Sequence, residues 1–399
     1  MTHNNIRIAD AEHHYYEPDD CFSRHLESRF SDRALHVVVT ANGERRWLFG
    51  DRPMSKASYA RDRVLPAGAY GERKKGEPFP PEVNAHGETF TSRQRRLALM
   101  DEQDTDAALM LPSMTIHVEH DLRSDVPAAV ANLRSFNRWI EEEWGYAHND
   151  RIFGVPYIAL LDVHEAVLEL ERVLNLGARS VMIKSGPVNG RSPGHPDFDP
   201  FWARLDEAGV PLVMHLDNGG YTEYFSAAWG ENPNPDERHV TPFQWATCFG
   251  SRPFQDTLAQ LILWNVFGRF ENIRLLSMSS GCDWVGSILR LDAFADPTFP
   301  YAHDEATWWP GGTLQSLPSE VLRTKVFIAP FVYEDVPQLC RAVGYTQVLM
   351  ASDYPHPEGF ADARSFRRLV APLPEQQQQA ILHDNLATLL RLPLLQPTG

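Results

Sequence analysis

Residues 163–215 read VHEAVLELERVLNLGARSVMIKSGPVNGRSPGHPDFDPFWARLDEAGVPLVMH. Two helical patterns alternate here with two short apolar runs. Val163 to Leu176 has helical spacing and stops at Gly177, a suitable C-terminal residue. Ser180 to Lys184 (SVMIK) then reads as a strand. Phe201 to Ala208 follows Pro200 as a second helix, and Pro211 to His215 (PLVMH) as a second strand. Strands that are apolar on both faces belong to a parallel sheet covered by helices.

Working outward, the same alternation continues in both directions. Strand candidates are Ile6 to His14, Ala107 to Leu111, Phe153 to Leu160, Ile273 to Ser277, Lys325 to Ile328 and Gln347 to Met350. Helix candidates are Arg93 to Glu102, Val126 to Trp144, Phe254 to Phe270, Trp284 to Phe294, Val336 to Val343 and Glu375 to Leu390. Eight strand–helix alternations predict an α/β fold, a closed (β/α)₈ TIM barrel with long βα-loop insertions. A doubly wound open sheet is the alternative, but no GxGxxG follows the first strand.

No linker divides the chain, so residues 1–399 are expected to form one domain. Long irregular stretches near 31–92, 217–252 and 295–318 are the expected insertions. Long βα loops build the active-site face of such a barrel. The first insertion suits a lid or a subunit contact, and equally a plain surface excursion. The tryptophans of the insertions (Trp229, Trp245, Trp308, Trp309) suit a pocket or a contact.

The 399 residues are 43% hydrophobic and 23% charged, which is ordinary globular usage. Disorder, a coiled coil and a collagen-like polymer are excluded. The net charge of −16 argues against nucleic acid as a partner. No apolar run approaches the ~20 residues that cross a bilayer, and the N-terminus lacks the apolar core of a signal peptide. Cys21, Cys248, Cys282 and Cys340 lie far apart, as reduced thiols of a cytoplasmic protein would.

Chemistry-bearing residues fall at the strand ends. In Asp10-Ala11-Glu12-His13-His14, side-chain alternation points Glu12 and His14 the same way. A carboxylate beside an imidazole is half of a metal site, or else a buried ion pair. His215 closes the fifth strand, where barrel enzymes keep their catalytic groups. Asp353 sits just past the eighth strand in SDYPHPEG, where a carboxylate can bind a metal and exchange a proton. A turn aspartate is the plain alternative. Glu12, His14, His215 and Asp353 together make one divalent-metal site with O and N ligands.

The sequence resembles the amidohydrolase-related family, the branch of the metal-dependent amidohydrolase superfamily that holds aminocarboxymuconate semialdehyde decarboxylase and the nonoxidative aromatic-acid decarboxylases. DAEHHYYEP, FNRWIEEEW, GARSVMIKSGP, HPDFDPFWARLDEAGVPLVMH, LPSEV and SDYPHPEG carry the resemblance, in order, over most of the chain. It implies a (β/α)₈ barrel and one divalent ion, Zn²⁺ first and Mn²⁺ second, on Glu12, His14, His215 and Asp353. It implies C–C cleavage, usually loss of CO₂, or hydrolysis of a small-molecule substrate. A homodimer is compatible with it; no membrane or nucleic acid enters.

One position departs. After the sixth strand the decarboxylases carry a His and a related subgroup a Glu, whereas Ser279 stands here. A hydroxyl is no general base near neutral pH. His356, Asp283 and His117, in that order, are the expected replacements. Lys184, ending the fourth strand, suits a substrate carboxylate or a structural ion pair. Glu17 suits substrate holding or support of a ligand.

Three functions follow as expectations. The first is nonoxidative decarboxylation of a small carboxylated aromatic or dienoic substrate, with Asp353 delivering the proton and His356 assisting. The second is hydrolysis of an amide, ester, lactone or C–C bond, with the pKa of water lowered from about 15.7 towards roughly 7 by the metal. The third is a noncatalytic ligand-binding barrel.

Overall fold

Every residue of the first barrel strand, Ile8–Tyr15, is buried. It pairs in parallel with Thr105–Pro112, which pairs with Ile152–Gly154. A second parallel sheet runs Val181–Met182, Leu212–His215, Leu275–Met278, Val326–Ile328. These assignments come from a computed structural model that describes residues 6–54, 60–70, 76–235, 239–295 and 308–394. The central part of the 295–318 insertion, short pieces of the other two and both chain termini lie outside the described residues.

Single bridges carry the two seams between the sheets. At one, Tyr157 bridges Met182, and the Ile158 N–H donates to the Met182 carbonyl at 2.8 Å. At the other, Val348 bridges Ile328, while the Ala11 N–H donates to Met350 O at 2.9 Å. The result is the expected (β/α)₈ TIM barrel, with its ladders interrupted at these seams. The expected third strand, Phe153 to Leu160, is cut short because Pro156 has no N–H to give a ladder. The expected eighth strand, Gln347 to Met350, is an extended segment with one bridge. Gln347 ends a 3₁₀ turn, and the Met350 N–H donates instead to Ile381 O.

Helices on the outside face this ring. Val126–Glu143 and Val163–Asn175 start on Asp125 and Asp162, whose side chains accept from Ala128 and Glu165 N–H groups. Asp199–Ala208 ends on Gly209 at φ +59°, a left-handed cap that costs glycine nothing. The helix expected over Phe254 to Phe270 breaks after Leu263. Asn265 turns left-handed there, and its amide holds Gly311 O at 3.2 Å. Trp284 to Phe294 likewise divides into Val285–Leu289 and Asp292–Ala295.

The stretch 31–92, expected to be irregular, contains strands. Leu35–Val39, Arg45–Phe49 and Arg52–Pro53 form an antiparallel sheet, and Arg63–Val64 pairs with Val83–Asn84. Trp47 and Phe49 bury themselves from this sheet into the main core, with Trp47 5.8 Å from the ring of Phe22.

Candidate metal centre and cavity

Alternation along the first strand sends Glu12 and His14 to one side and His13 to the other. His13 Nε2 lies 3.0 Å from Asp10 Oδ2. Asp10 Oδ1 accepts from the N–H groups of Glu12 and Ser352, each at 3.0 Å, and so ties the first strand to the segment carrying Asp353. Arg96, fully buried, donates to His14 O at 2.7 Å and sits over the Tyr354 ring.

On the inner side Glu12 Oε1 is 3.2 Å from His215 Nε2 and 3.8 Å from His14 Nε2. Asp353 Oδ1 is 3.4 Å from His14 Nε2. His14 Nδ1 lies 2.9 Å from Pro112 O, and His215 Nδ1 2.8 Å from Leu216 O. A carbonyl only accepts, so both Nδ1 atoms carry hydrogen and both Nε2 atoms turn toward the carboxylates. Each Nε2 is buried and without a hydrogen-bond partner among the described residues. Two orphaned imidazole nitrogens converging on two carboxylates, with backbone carbonyls behind them, fit a divalent cation. The four expected ligands are therefore brought together: Glu12, His14 and His215 in one group, His14, Asp353 and His356 in an overlapping one.

Electrostatics fit the same picture. Burial alone would raise Glu12, but the adjacent His14 and His215 outweigh it and hold the carboxyl well below its ordinary range. Burial, reinforced by the nearby His356, keeps His14 neutral. Burial disfavours charge on His215 too, yet Glu12 beside it pushes the imidazole up. Desolvation lifts Asp353 to about 7 against the pull of His356. Burial opposes charge on His356, and Asp353 overrides it, pushing the imidazole up to about 9. A bound cation supplies the positive charge that these protons otherwise provide. Asp353 and Ser279 both hold left-handed backbone, at φ +56° and +47°. Such strain clusters where a side chain must be aimed.

His356 joins this centre to a cavity of about 720 Å³. Its Nδ1 is 2.8 Å from Asp353 Oδ1 and its Nε2 3.0 Å from Ser113 Oγ. Ser113 donates its own proton to Tyr15 O at 2.7 Å. Tyr16, Glu17, Trp47, Met114 and His117 also line the cavity. Glu17 Oε1 accepts from the Met114 and Thr115 N–H groups and from the Thr115 hydroxyl, at 2.8–3.0 Å. It thus pins the loop after the second strand. Burial raises its pKa.

Lys184 lies elsewhere. Its buried ammonium donates to Pro187 O at 2.7 Å and Ser185 O at 3.3 Å. Burial lowers its pKa, opposed by Glu119 and Asp217. Asp283 is exposed. Ser279 donates to Glu12 Oε1 at 2.7 Å, so the residue at the departing position supports a ligand. Sequence reasoning missed Asp10, Ser113, Asp217 and Glu119. Asp10 was visible within DAEHH, but its partner lies 342 residues away. Trp245 lines the cavity, whereas Trp229 and Trp308 are exposed on the surface.

The amidohydrolase family model matches residues 10–392. No curated protein matches the sequence. Among solved structures, an amidohydrolase of Mycobacterium avium subsp. paratuberculosis K-10 is 32% identical over 99% of this chain and 100% of its own, with a TM-score of 0.85. A 5-carboxyvanillate decarboxylase of Sphingomonas paucimobilis is 19% identical, covering 97% and 100% of the two chains, with a TM-score of 0.62. A dihydroxybenzoic acid decarboxylase of Polaromonas sp. JS666, solved with manganese and an inhibitor, is 17% identical over 75% and 86%, with a TM-score of 0.52. With its family match running nearly end to end and its fold shared by all three, the chain belongs to the amidohydrolase family of metal-dependent enzymes.

Proposed function

We propose that the protein is a metal-dependent carboxy-lyase that removes CO₂, without redox chemistry, from a small carboxylated aromatic or dienoic acid. The observation that carries this reading is the Asp353–His356 pair. Asp353 is linked at 2.8 Å to an imidazole that opens onto the cavity. A carboxyl joined to an imidazole in this way can receive a proton and pass it on.

Glu12, His14, His215 and Asp353 would hold the ion. Zn²⁺ is our first choice and Mn²⁺, found in the Polaromonas enzyme, the second, since an O/N donor set suits both. When bound, the ion supplies Lewis acidity and a template for the substrate's carboxylate. Asp353 delivers its proton to the carbon that bears the carboxylate. The C–C electron pair stays on that carbon, CO₂ leaves, and Asp353 is recharged through His356. Ser113 fixes the far nitrogen of His356, and Glu17 fixes the loop bearing Ser113.

Hydrolysis is the second reading, favoured by the 32% identical neighbour, which is named only as an amidohydrolase. The same residues would serve it, with water consumed and no CO₂ released. We place the protein in the cytoplasm because its four cysteines are free. No helix among the described residues is long and apolar enough to cross a membrane.

The test is CO₂ release from a panel of hydroxybenzoates and dienoic acids, beside ester and lactone hydrolysis, with Zn²⁺- and Mn²⁺-loaded protein. CO₂ from any acid, lost in Asp353→Asn, supports the lyase. Ester or lactone turnover with no CO₂ from any acid replaces it with the hydrolase.

A further inference from the structure

We propose that His117, oriented by Asp217, is the second acid–base group of this site. The inference rests on the lyase reading above.

The other candidates are already engaged or turned away. Ser279 spends its proton on Glu12. Asp283 is exposed. His356 already serves Asp353 through Nδ1 and is held at Nε2 by Ser113. His86, a third imidazole on the cavity wall, is exposed and bound to Asp62 through Nε2. His117 differs from all of these. Its Nδ1 lies 3.0 Å from Asp217 Oδ1, and its ring lines the cavity. Its Nε2 has no partner among the described residues.

Asp217 is well placed to orient that ring. It is 4% exposed and its Oδ2 accepts from the Gly219 N–H at 3.0 Å, so the carboxylate cannot swing away. A carboxylate accepts only, which places hydrogen on His117 Nδ1 and leaves the Nε2 lone pair for a substrate. A buried acid fixing one nitrogen while the other meets substrate is the general logic of an oriented base. Lys184, held by the Ser185 and Pro187 carbonyls, is a nearby positive charge for Asp217.

His117 and Ser113 come from the same loop after the second strand, and Ser113 touches His356. The substrate ring lies in the shared cavity with Asp353–His356 at one edge and His117 at another. On a substrate with a hydroxyl beside its carboxylate, His117 Nε2 takes the proton of that hydroxyl. The oxygen's electrons flow to the ring carbon that Asp353 protonates. When the C–C bond has broken and CO₂ has left, His117 returns its proton to the same oxygen. The net change is one proton gained by carbon and one CO₂ lost.

The experiment uses metal-loaded protein and the hydroxybenzoate that wild type decarboxylates fastest. His117→Ala is expected to lower kcat by about 10²–10⁴-fold with KM within about threefold. Metal content and Tm should match wild type, and added imidazole should restore part of the rate. His117→Gln keeps a hydrogen bond to Asp217 but offers no base, and should show the same loss even where the alanine variant folds poorly. Asp217→Asn should lose kcat too, through the wrong tautomer. Unchanged kcat in His117→Gln overturns the inference and leaves the lyase standing. A loss that follows Tm or metal content, with no rescue by imidazole, makes the pair a tie between two loops and also overturns it. A wild type that releases CO₂ from no acid overturns the lyase reading, and this inference with it.

Discussion

The ends of the barrel strands and the wall of the cavity that the first insertion builds over them are made on different terms. At the strand ends, Glu12, His14, His215 and Asp353 are all under 9% exposed. Backbone carbonyls set both histidine tautomers, and Asp10 clips the first strand to the last extended segment. On the cavity wall, the largely buried Arg45 pairs with the half-exposed Asp19 and Asp62, and Arg63 with Glu82 through exposed side chains. Ion pairs of that kind contribute ~0–1 kcal/mol. The strand ends cannot change one atom without the next, whereas the exposed part of the wall can exchange residues at little cost in stability. We expect reaction type to follow the first region and substrate choice the second.

The largest expected effect breaks the first region. The His14→Ala/His215→Ala double variant should fall from about one divalent ion per chain to none by elemental analysis, and turnover should fall to background. Metal retained at wild-type level would mean that the ion sits elsewhere and that the strand ends are not the centre.

Next in size is a buried group at the rim between the two regions. Glu119 is 1% exposed, both its oxygens lack hydrogen-bond partners among the described residues, and burial lifts its pKa to about 7. Its ordinary value is 4.5, so between these pH values the folded state binds more protons than the unfolded one. Stability is then highest below pH 4.5 and falls as pH rises through 7. Glu119→Gln removes the charge that is costly above neutrality. The variant should gain on the order of 3 kcal/mol relative to wild type at pH 8 and little at pH 4.5. Paired Tm measurements at the two pH values check it, and a gain equal at both would show that Glu119 stays ionised throughout.

How much of this was legible in the sequence follows the same division. The barrel could be read because short strands buried on both faces leave continuous apolar runs, and helix stops such as Gly177 and Gly209 are local. The ligand pairing Glu12–His14 could be read because alternation along one strand is local too. What could not be read depends on distant contacts. Ile381 capturing the Met350 N–H is settled by a neighbour far along the chain. Lys184 suited a substrate carboxylate or a structural ion pair equally, and its ammonium meets the Ser185 and Pro187 carbonyls with Glu119 and Asp217 as nearby charges. Ser279 looked like a vacancy, since sequence shows the missing imidazole and not the hydroxyl's bond to Glu12. The antiparallel strands of 31–92 were hidden among Gly, Pro and Arg.

Ser279 gives a smaller effect within the strand-end region. Ser279→Ala removes one hydrogen bond from a ligand that keeps its other contacts. Support of this kind is typically worth about 10–100-fold in metal affinity. Competition with a chelator measures it, and unchanged affinity would show that Glu12 is aimed by the strand alone.

The smallest effect tests the other side of the comparison. Trp245 lines the cavity, is 56% exposed and packs at a tilt on Phe249, with ring centroids 5.1 Å apart. Trp47 lines the same cavity but is 3% exposed and packs on Phe22. Trp47→Ala should therefore cost about 3–5 kcal/mol of stability, as large-to-small core changes do. Trp245→Ala removes surface from the cavity without opening the core, so its Tm should stay within a degree or so. Losing one partly buried ring from a binding wall is worth roughly 1–2 kcal/mol, or about tenfold in KM, with kcat unchanged within about twofold. Steady-state kinetics on one aromatic acid separates these numbers. A kcat that falls while KM holds would mean that the loop wall presses the substrate toward Asp353 in the transition state. Chemistry and selectivity would then share the second insertion, and the division between strand ends and cavity wall would fail at that residue.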